Sequence, residues 1–379
     1  MNGGIMPCRI AYDARMCQHS GIGVYIQGLF EGLSSEDMVS KRPNLTFLGC
    51  PNPELLPECF RSAQNIAFDA PIYGFRERFF MPTLLNVDLL HVPHYNVPHN
   101  THGIPFTANI FDLIHLTRYS SLNQFKRAVA QILLNNTTKH AKHIITCSEF
   151  SKQDIMRSFD VADDKISVIY PAISEAFVRQ SQEIVVQTQQ KYSVPANYFM
   201  AIGSDKSHKN LKLAIDAYNS LCSHNDMRDI PSLVIRGLSD KSPLSRYARE
   251  TQAFLKIIFL PFIESRAEFA ALMQGASAVI FPSLYEGFGL PVIEAQRLRV
   301  PVISSSATSM CEAGGHGGAL YFDPNSSDDL IGCMKKLLSE PSSITTIVDT
   351  GYENQKRFSW HSTASQTIDV WNKVCKYLK

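Results

Sequence analysis

Residues 281–294 read Phe-Pro-Ser-Leu-Tyr-Glu-Gly-Phe-Gly-Leu-Pro-Val-Ile-Glu: an apolar run, a loop with two glycines, and a helix start marked by Pro291. A helix beginning there leaves the amides of Phe288, Gly289 and Leu290 without helical acceptors, where the helix dipole favours an anion. Gly287 and Gly289 present no side chain to block a close approach. Glu286 and Glu294 bracket the turn, and a carboxylate can accept two hydroxyl hydrogen bonds, which suits the vicinal diol of a ribose or a sugar ring. A Gly-x-Gly turn alone is usually only a turn. Two acids flanking it point to a ligand that carries both phosphates and hydroxyls.

Other stretches have chemistry to add. Gly203-Ser204-Asp205-Lys206-Ser207-His208-Lys209-Asn210-Leu211 follows an apolar run and opens a helix with Leu211, Leu213, Ala214 and Ala217 at apolar positions. Lys209 then stands at the carboxyl end of a strand, where an ammonium neutralises the charge growing on a departing diphosphate. The plainer reading is a solvated lysine at a helix start. Ser20-Gly21-Ile22-Gly23-Val24-Tyr25, shortly after Asp13-Ala14-Arg15, is a second Gly-x-Gly entering a helix and equally compatible with a bare turn. His91-Val92-Pro93-His94-Tyr95-Asn96-Val97-Pro98 and Phe111-Asp112-Leu113-Ile114-His115 also follow strand-like runs. His91, His94 and His115 have no neighbouring pair of carboxylates, so a metal site is not expected of them. Ser148 with Ser151 fits a helix cap.

The elements that must position these residues recur along the chain: short β-rich runs, each followed by a stretch of helical period, the pattern of a parallel sheet wrapped by helices. The first series lies at 8–12, 45–48, 87–90, 106–110, 144–147 and 166–170. The second lies at 198–203, 233–237, 257–260, 278–281 and 300–303. Polar, Gln-rich text between them sets the boundary near 172–197, so the expected domains are 1–172 and 173–355. The closing segment 356–379 holds an amphipathic helix with Trp360, Ala364, Ile368, Trp371, Cys375 and Leu378 on one face. It packs on its own domain or returns to the first.

The 379 residues, 45% hydrophobic and 19% charged, suit two globular cores. A net charge of +1 provides no whole-molecule field for nucleic acid. Nine scattered cysteines without a Cys-x-x-Cys pair read as reduced cytoplasmic thiols. No leader is expected before the first strand, and no apolar run approaches the roughly 20 residues that cross a bilayer. Between 118 and 143, Phe125, Val129, Ile132 and Leu133 interleave with Lys126, Arg127, Lys139 and Lys142. Two readings stay open, a surface helix with a buried stripe or a lipid-headgroup contact. Gly314-Gly315-His316-Gly317-Gly318 reads as a flexible loop.

The run 281–294 resembles the Glu-x7-Glu motif of the family-four retaining glycosyltransferases, and the text from 258 to 324 is similar to that family almost position by position. The resemblance implies the GT-B fold, two facing Rossmann-like domains with a deep cleft between them, the first for the acceptor and the second for the donor. It implies that Glu286 holds the donor sugar and Glu294 the ribose, with Gly287, Phe288, Gly289 and Leu290 around the phosphates. Lys209 matches the family's Arg-Lys-Asn-Leu segment, with His208 where arginine often stands and Ser204 on the same loop. Gly21 and Gly23 match the amino-terminal glycine loop that approaches the donor phosphate. Many relatives have His-Asp-Leu where this chain has Phe111-Asp112-Leu113, so the family histidine's role falls to Asp112 and then His115. His94, Tyr95 and Asn96 are the expected acceptor contacts.

The expected reaction is therefore transfer of a hexosyl group, with mannosyl as the first expectation from the resemblance, from a nucleoside-diphosphate sugar to a hydroxyl of a glycan or lipid-linked glycan. The resemblance implies retention and no metal or other cofactor. Orientation of the acceptor hydroxyl and stabilisation of the leaving diphosphate would supply the rate. The expected setting is cytoplasmic, with peripheral contact at the inner face of the plasma membrane. Rival readings are an epimerase or a phosphorolytic enzyme of the same fold, or a sugar-nucleotide-binding protein without turnover.

Overall fold

The computed structural model describes residues 8–19, 21–72, 74–223 and 230–377. They form two compact units: Met1–Leu116, Leu122–Ser174 and Phe358–Lys379 make the first, and Thr117–Ser121 with Glu175–Arg357 the second. Each is built on one parallel sheet.

In the first unit the strands are β1 (Arg9–Asp13), β2 (Asn44–Leu48), β3 (Asn65–Ile66), β4 (Leu89–Val92), β5 (Phe106–Asn109), β6 (His143–Thr146) and β7 (Ile166–Val168), in the spatial order β3-β2-β1-β4-β5-β6-β7. In the second they are β8 (Tyr198–Ile202), β9 (Ser232–Arg236), β10 (Ile257–Leu260), β11 (Ala278–Phe281), β12 (Val302–Ser305) and β13 (Leu320–Phe322), ordered β10-β9-β8-β11-β12-β13. Central strands such as β4, β8 and β11 are buried along their whole length, which is why they read as unbroken apolar runs rather than alternating ones. β3 and β13, at the sheet edges, escaped the reading of the sequence because two or three residues carry no period.

The helix Trp360–Tyr377 belongs to the first unit and lies on the helix Ile22–Ser34. Only glycine allows that approach: a Cβ on Gly28 would come within 2.0 Å of Trp360 Cε2, and one on Gly32 within 2.1 Å of the Trp360 carbonyl oxygen. Trp371, 1% exposed, donates from Nε1 to His91 Nδ1 at 3.1 Å. Leu378, expected on the same face, lies outside the described residues.

The return of this helix also corrects the cysteine reading. Cys8, just before β1, and Cys375 are joined in a disulfide, whereas Cys17, Cys50, Cys59, Cys147, Cys222, Cys311 and Cys333 take part in none. A pair 367 residues apart leaves no spacing signature.

The helix Gln124–His140 buries Ala130, Leu133, Leu134, Thr137 and Thr138. Phe125, Val129 and Ile132 face solvent, so only Leu133 of the expected apolar set joins a buried stripe. Among the described residues no helix is long and apolar enough to cross a membrane.

Candidate functional site

The order of the second sheet reverses between β8 and β11, and ligands of open α/β sheets bind beyond the strand ends at such a point. The two loops leaving that point carry the motif residues. After β8 the chain passes Gly203 and Ser204, makes a tight turn at Ser207–Lys209, and enters the helix Leu211–Ser223. Asn210 between them is left-handed (φ 53°), and its Nδ2 donates to the Pro282 and Pro324 carbonyls at 3.1 and 2.9 Å. The Leu284 amide donates to the His208 carbonyl at 2.7 Å. The loops after β8 and β11 are thus laced together through main-chain carbonyls.

This lacing sets Lys209 Nζ at 2.7 Å from Glu286 Oε1, with side-chain exposures of 23% and 17%. The ammonium stands over the Phe281 ring, 5.7 Å from its centroid. His208 is buried, and burial lowers its pKa to about 4 against the pull of Glu286, so it is neutral near pH 7. It cannot supply the permanent charge of the arginine it resembles in position.

The Glu286 loop is fixed from behind. The Glu286 amide donates to Thr308 Oγ1 at 3.1 Å, and Ser309 Oγ donates to the carbonyls of Glu286 and Phe288 at 2.9 and 2.8 Å. Gly287 and Phe288 are buried. Gly289 sits at φ 124°, a conformation glycine accepts readily, with Met310 and Ala313 3.3–3.4 Å from where a Cβ would lie. The helix Leu290–Arg297 follows with Pro291 in its first turn and no side-chain cap. Pro291 has no N–H and the Val292 amide donates to the Gly289 carbonyl at 3.0 Å, so the amides a ligand could take at this helix start are those of Gly289 and Leu290.

Glu294 lies one turn into that helix. Burial raises its carboxyl pKa to about 7, with Arg266 and Arg236 drawing it back. The sequence reading missed both arginines. Arg236 closes β9 at the same edge of the sheet, with its guanidinium 4.2 and 4.3 Å from the Phe262 and Phe269 ring centroids and Nη2 donating to the Ile263 carbonyl at 3.3 Å. Its position at a strand's carboxyl end was the available signal.

In the first unit the sheet order reverses between β1 and β4. There the buried Arg15 holds two acids, Nη2 lying 2.5 Å from Asp13 Oδ2 and 2.7 Å from Glu77 Oε1. Asn96 Nδ2 donates to Glu77, and His94 Nδ1 accepts from the Asn96 amide at 3.1 Å while its Nε2 lies 3.6 Å from Asp13. Burial alone would raise the Asp13 pKa; Arg15 and His94 outweigh it and hold the carboxyl well below the usual range. His94 and Asn96, expected to touch the acceptor, are 2% and 5% exposed and serve this network. Asp13, Glu77 and His94 are close enough to hold a cation, and the Arg15 guanidinium already bonds both carboxylates.

Tyr95 is half-buried, edge-on to His115 with ring centroids 5.9 Å apart. Asp112 Oδ1 accepts from the Ile114 amide at 3.0 Å, starting the turn that carries His115. Phe111 packs on Tyr25 with ring centroids 4.9 Å apart. Gly21 (φ 84°) opens the helix Ile22–Ser34 and is exposed. The Gly23 amide instead donates to the His19 carbonyl at 2.9 Å, and a Cβ there would meet the Cys17 carbonyl oxygen at 2.7 Å. Gly23 therefore serves chain packing rather than offering an amide to a phosphate. His91 is spent on Trp371 and Thr107, which disperses the three histidines. Ser148 caps the helix Glu149–Phe159 through the Ser151 amide.

Two parallel-sheet domains, each with its candidate site side chains at a reversal of strand order, define an architecture of the GT-B kind. The description "Glycosyltransferase Family 4" matches residues 45–177 and "Glycosyl transferases group 1" matches 187–355. The chain belongs to this glycosyltransferase family. It is 28% identical over 286 residues to O-antigen chain mannosyltransferase B of Escherichia coli, covering 75% of this chain and 74% of that one. It is also 28% identical over 254 residues to O-antigen chain mannosyltransferase RfbU of Salmonella typhimurium, covering 64% and 65%. Among solved structures, Anabaena Alr3699/HepE in complex with UDP and glucose superposes with a TM-score of 0.72 at 16% identity, over 96% of this chain and 99% of that one.

Proposed function

We propose that this glycosyltransferase moves a mannosyl group from guanosine diphosphate mannose to a hydroxyl of a growing, lipid-linked glycan, with retention at the anomeric carbon, at the cytoplasmic face of a membrane. The sugar and the acceptor class rest on the two O-antigen mannosyltransferase relatives. The observation that carries the donor site is the Lys209–Glu286 pair, 2.7 Å apart at the β8/β11 reversal, beside a helix start that has no side-chain cap.

On this reading Glu286 accepts from the sugar hydroxyls and Glu294 from the ribose. Lys209 and the amides of Gly289 and Leu290 meet the diphosphate, so a bound metal is assigned no part. The bond from C1 to the phosphate oxygen breaks as the acceptor oxygen bonds C1 on the same face. The acceptor's proton passes to the departing phosphate oxygen, which removes the need for an enzymic base. Asp112, His115 and Tyr95 are the proposed acceptor-side groups, and His94 and Asn96 are withdrawn to positioning.

The test is a panel of nucleoside-diphosphate sugars in thermal unfolding, where a ligand at about 100 times its dissociation constant adds roughly 2.7 kcal/mol. The guanosine diphosphate mannose sample should unfold highest, and nucleoside diphosphate should then be released only when a glycan acceptor is added. Release without acceptor, or no stabilisation by any member of the panel, would defeat the proposal.

A further inference from the structure

The sheet of the first unit carries a polar seam on the face covered by the helices Ile22–Ser34 and Trp360–Tyr377. Tyr12, His91 and Thr107 stand side by side on β1, β4 and β5, and Asn109, two residues beyond Thr107, points to the same face. The helices press on this row: ring centroids are 4.8 Å apart for Tyr12 and Phe30, and 5.3 Å apart for His91 and Trp371. The Tyr25 hydroxyl lies within the electrostatic reach of Asn109 and Thr367 but closes a hydrogen bond with neither. All of these side chains are buried.

Among the described residues, the Tyr12 and Tyr25 hydroxyls, His91 Nε2 and both amide atoms of Asn109 have no protein partner. For His91 the proton can be placed. Its Nδ1 takes the Trp371 indole N–H, which can only donate, and burial keeps the ring neutral, so Nε2 carries the proton and finds no acceptor. Thr367 has already given its hydroxyl proton to the Thr363 carbonyl at 2.7 Å. A bare buried polar group costs as much as a lost hydrogen bond, and native cores satisfy nearly all of theirs. So many orphans in one layer mark a ligand, and it must both donate and accept.

We infer that this seam binds ordered water at Asn109, the Tyr25 hydroxyl and His91 Nε2. Water donates to Asn109 Oδ1 and accepts from the amide, hydroxyl and imidazole donors, which is the mixture the seam offers. An anion would meet the donors and leave Oδ1 bare. It would also find no cation among these side chains, while the Asp13 carboxylate acts on both Tyr12 and His91. The bound water backs the chain where β5 runs out, since Asn109 stands two residues before Phe111 and the Tyr25 ring lies against Phe111. The inference concerns the first unit alone and does not depend on the donor reading.

The experiment is a high-resolution crystal structure of the full chain, paired with water-oxygen magnetic relaxation dispersion in solution, which counts long-lived internal waters. Ordered water is expected within hydrogen-bond distance of Asn109, the Tyr25 hydroxyl and His91 Nε2. The double variant Asn109→Leu, Tyr25→Phe should hold fewer long-lived waters than wild type. Tyr25→Phe alone should lower the thermal midpoint by about 2 °C or more, because it strips a partner from the water; removing a bare hydroxyl would leave the midpoint unchanged or raise it. A dry seam with Asn109 bonded directly to Tyr25, equal water counts in the two proteins, or a Tyr25→Phe midpoint that does not fall overturns the inference. Should the double variant fail to fold, the wild-type crystal structure decides by itself.

Discussion

Glu294 must be charged to accept hydroxyl hydrogen bonds with both oxygens, and its carboxyl titrates near pH 7. Nucleotide affinity should therefore fall by up to about tenfold per unit as pH drops below 7, and Glu294→Gln should flatten that profile in a titration series. The sign for stability is opposite. A carboxyl raised above its ordinary 4.5 stabilises the fold while protonated and loses that contribution as pH rises through about 7. Glu294→Gln should thus unfold no lower than wild type at pH 8, while binding less nucleotide. Lys209 differs, since its ammonium is already held by Glu286 and, on the proposed reading, is shared with the diphosphate. Lys209→Ala should lower kcat by roughly 100-fold or more, the usual cost of losing one stabiliser of developing charge. Turnover within a few-fold of wild type would remove Lys209 from the chemistry.

At the scale of elements, the packing of the helix Trp360–Tyr377 on Ile22–Ser34 depends on bare backbone at Gly28 and Gly32. Gly28→Ala places a methyl 2.0 Å from the Trp360 ring, so it must push the two helices apart even though alanine is the better helix former. Chemical unfolding of the full chain should show a loss of about 1–3 kcal/mol, the range for an overfilled core. A neutral or stabilising result would mean that the helices do not meet at Trp360. The loop after β11 shows a different use of glycine. Gly289 holds a positive φ at the helix start, a conformation that a side chain would strain whatever the space around it.

Across the whole molecule, acid acts on histidines in both units. Burial lowers His91 to about 3 and His143 and His208 to about 4, so each stays neutral in the fold but gains a proton readily once unfolded. Stability should fall as pH drops from about 6.5 toward 4, and further once Asp13 is forced to protonate. Among the described residues, Glu294 works against that trend and is outnumbered. The thermal midpoint of the full chain, followed from pH 7 to 4, should decline steadily. A flat profile would contradict the buried, neutral assignment of these histidines.

Much of the candidate site was legible in the sequence for a local reason. A buried run, a glycine turn and Pro291 place Glu286 and Glu294 around a helix start, and a parallel sheet puts every such start at the same edge. The two sheets followed from the same periodicity, down to strands too short to show one. Tertiary structure decided what residues far apart in the chain do to each other. It set β8 beside β11, so that Lys209 meets Glu286, and brought Arg236 and Arg266 to act on Glu294. It drew His94 and Asn96 into the Arg15 network, joined Cys8 to Cys375, and left Phe125, Val129 and Ile132 in water. Local pattern encodes which face of an element is apolar. Which neighbour covers that face, or whether any does, depends on strand order and on where the last helix returns, and neither is written in a residue's own surroundings along the chain.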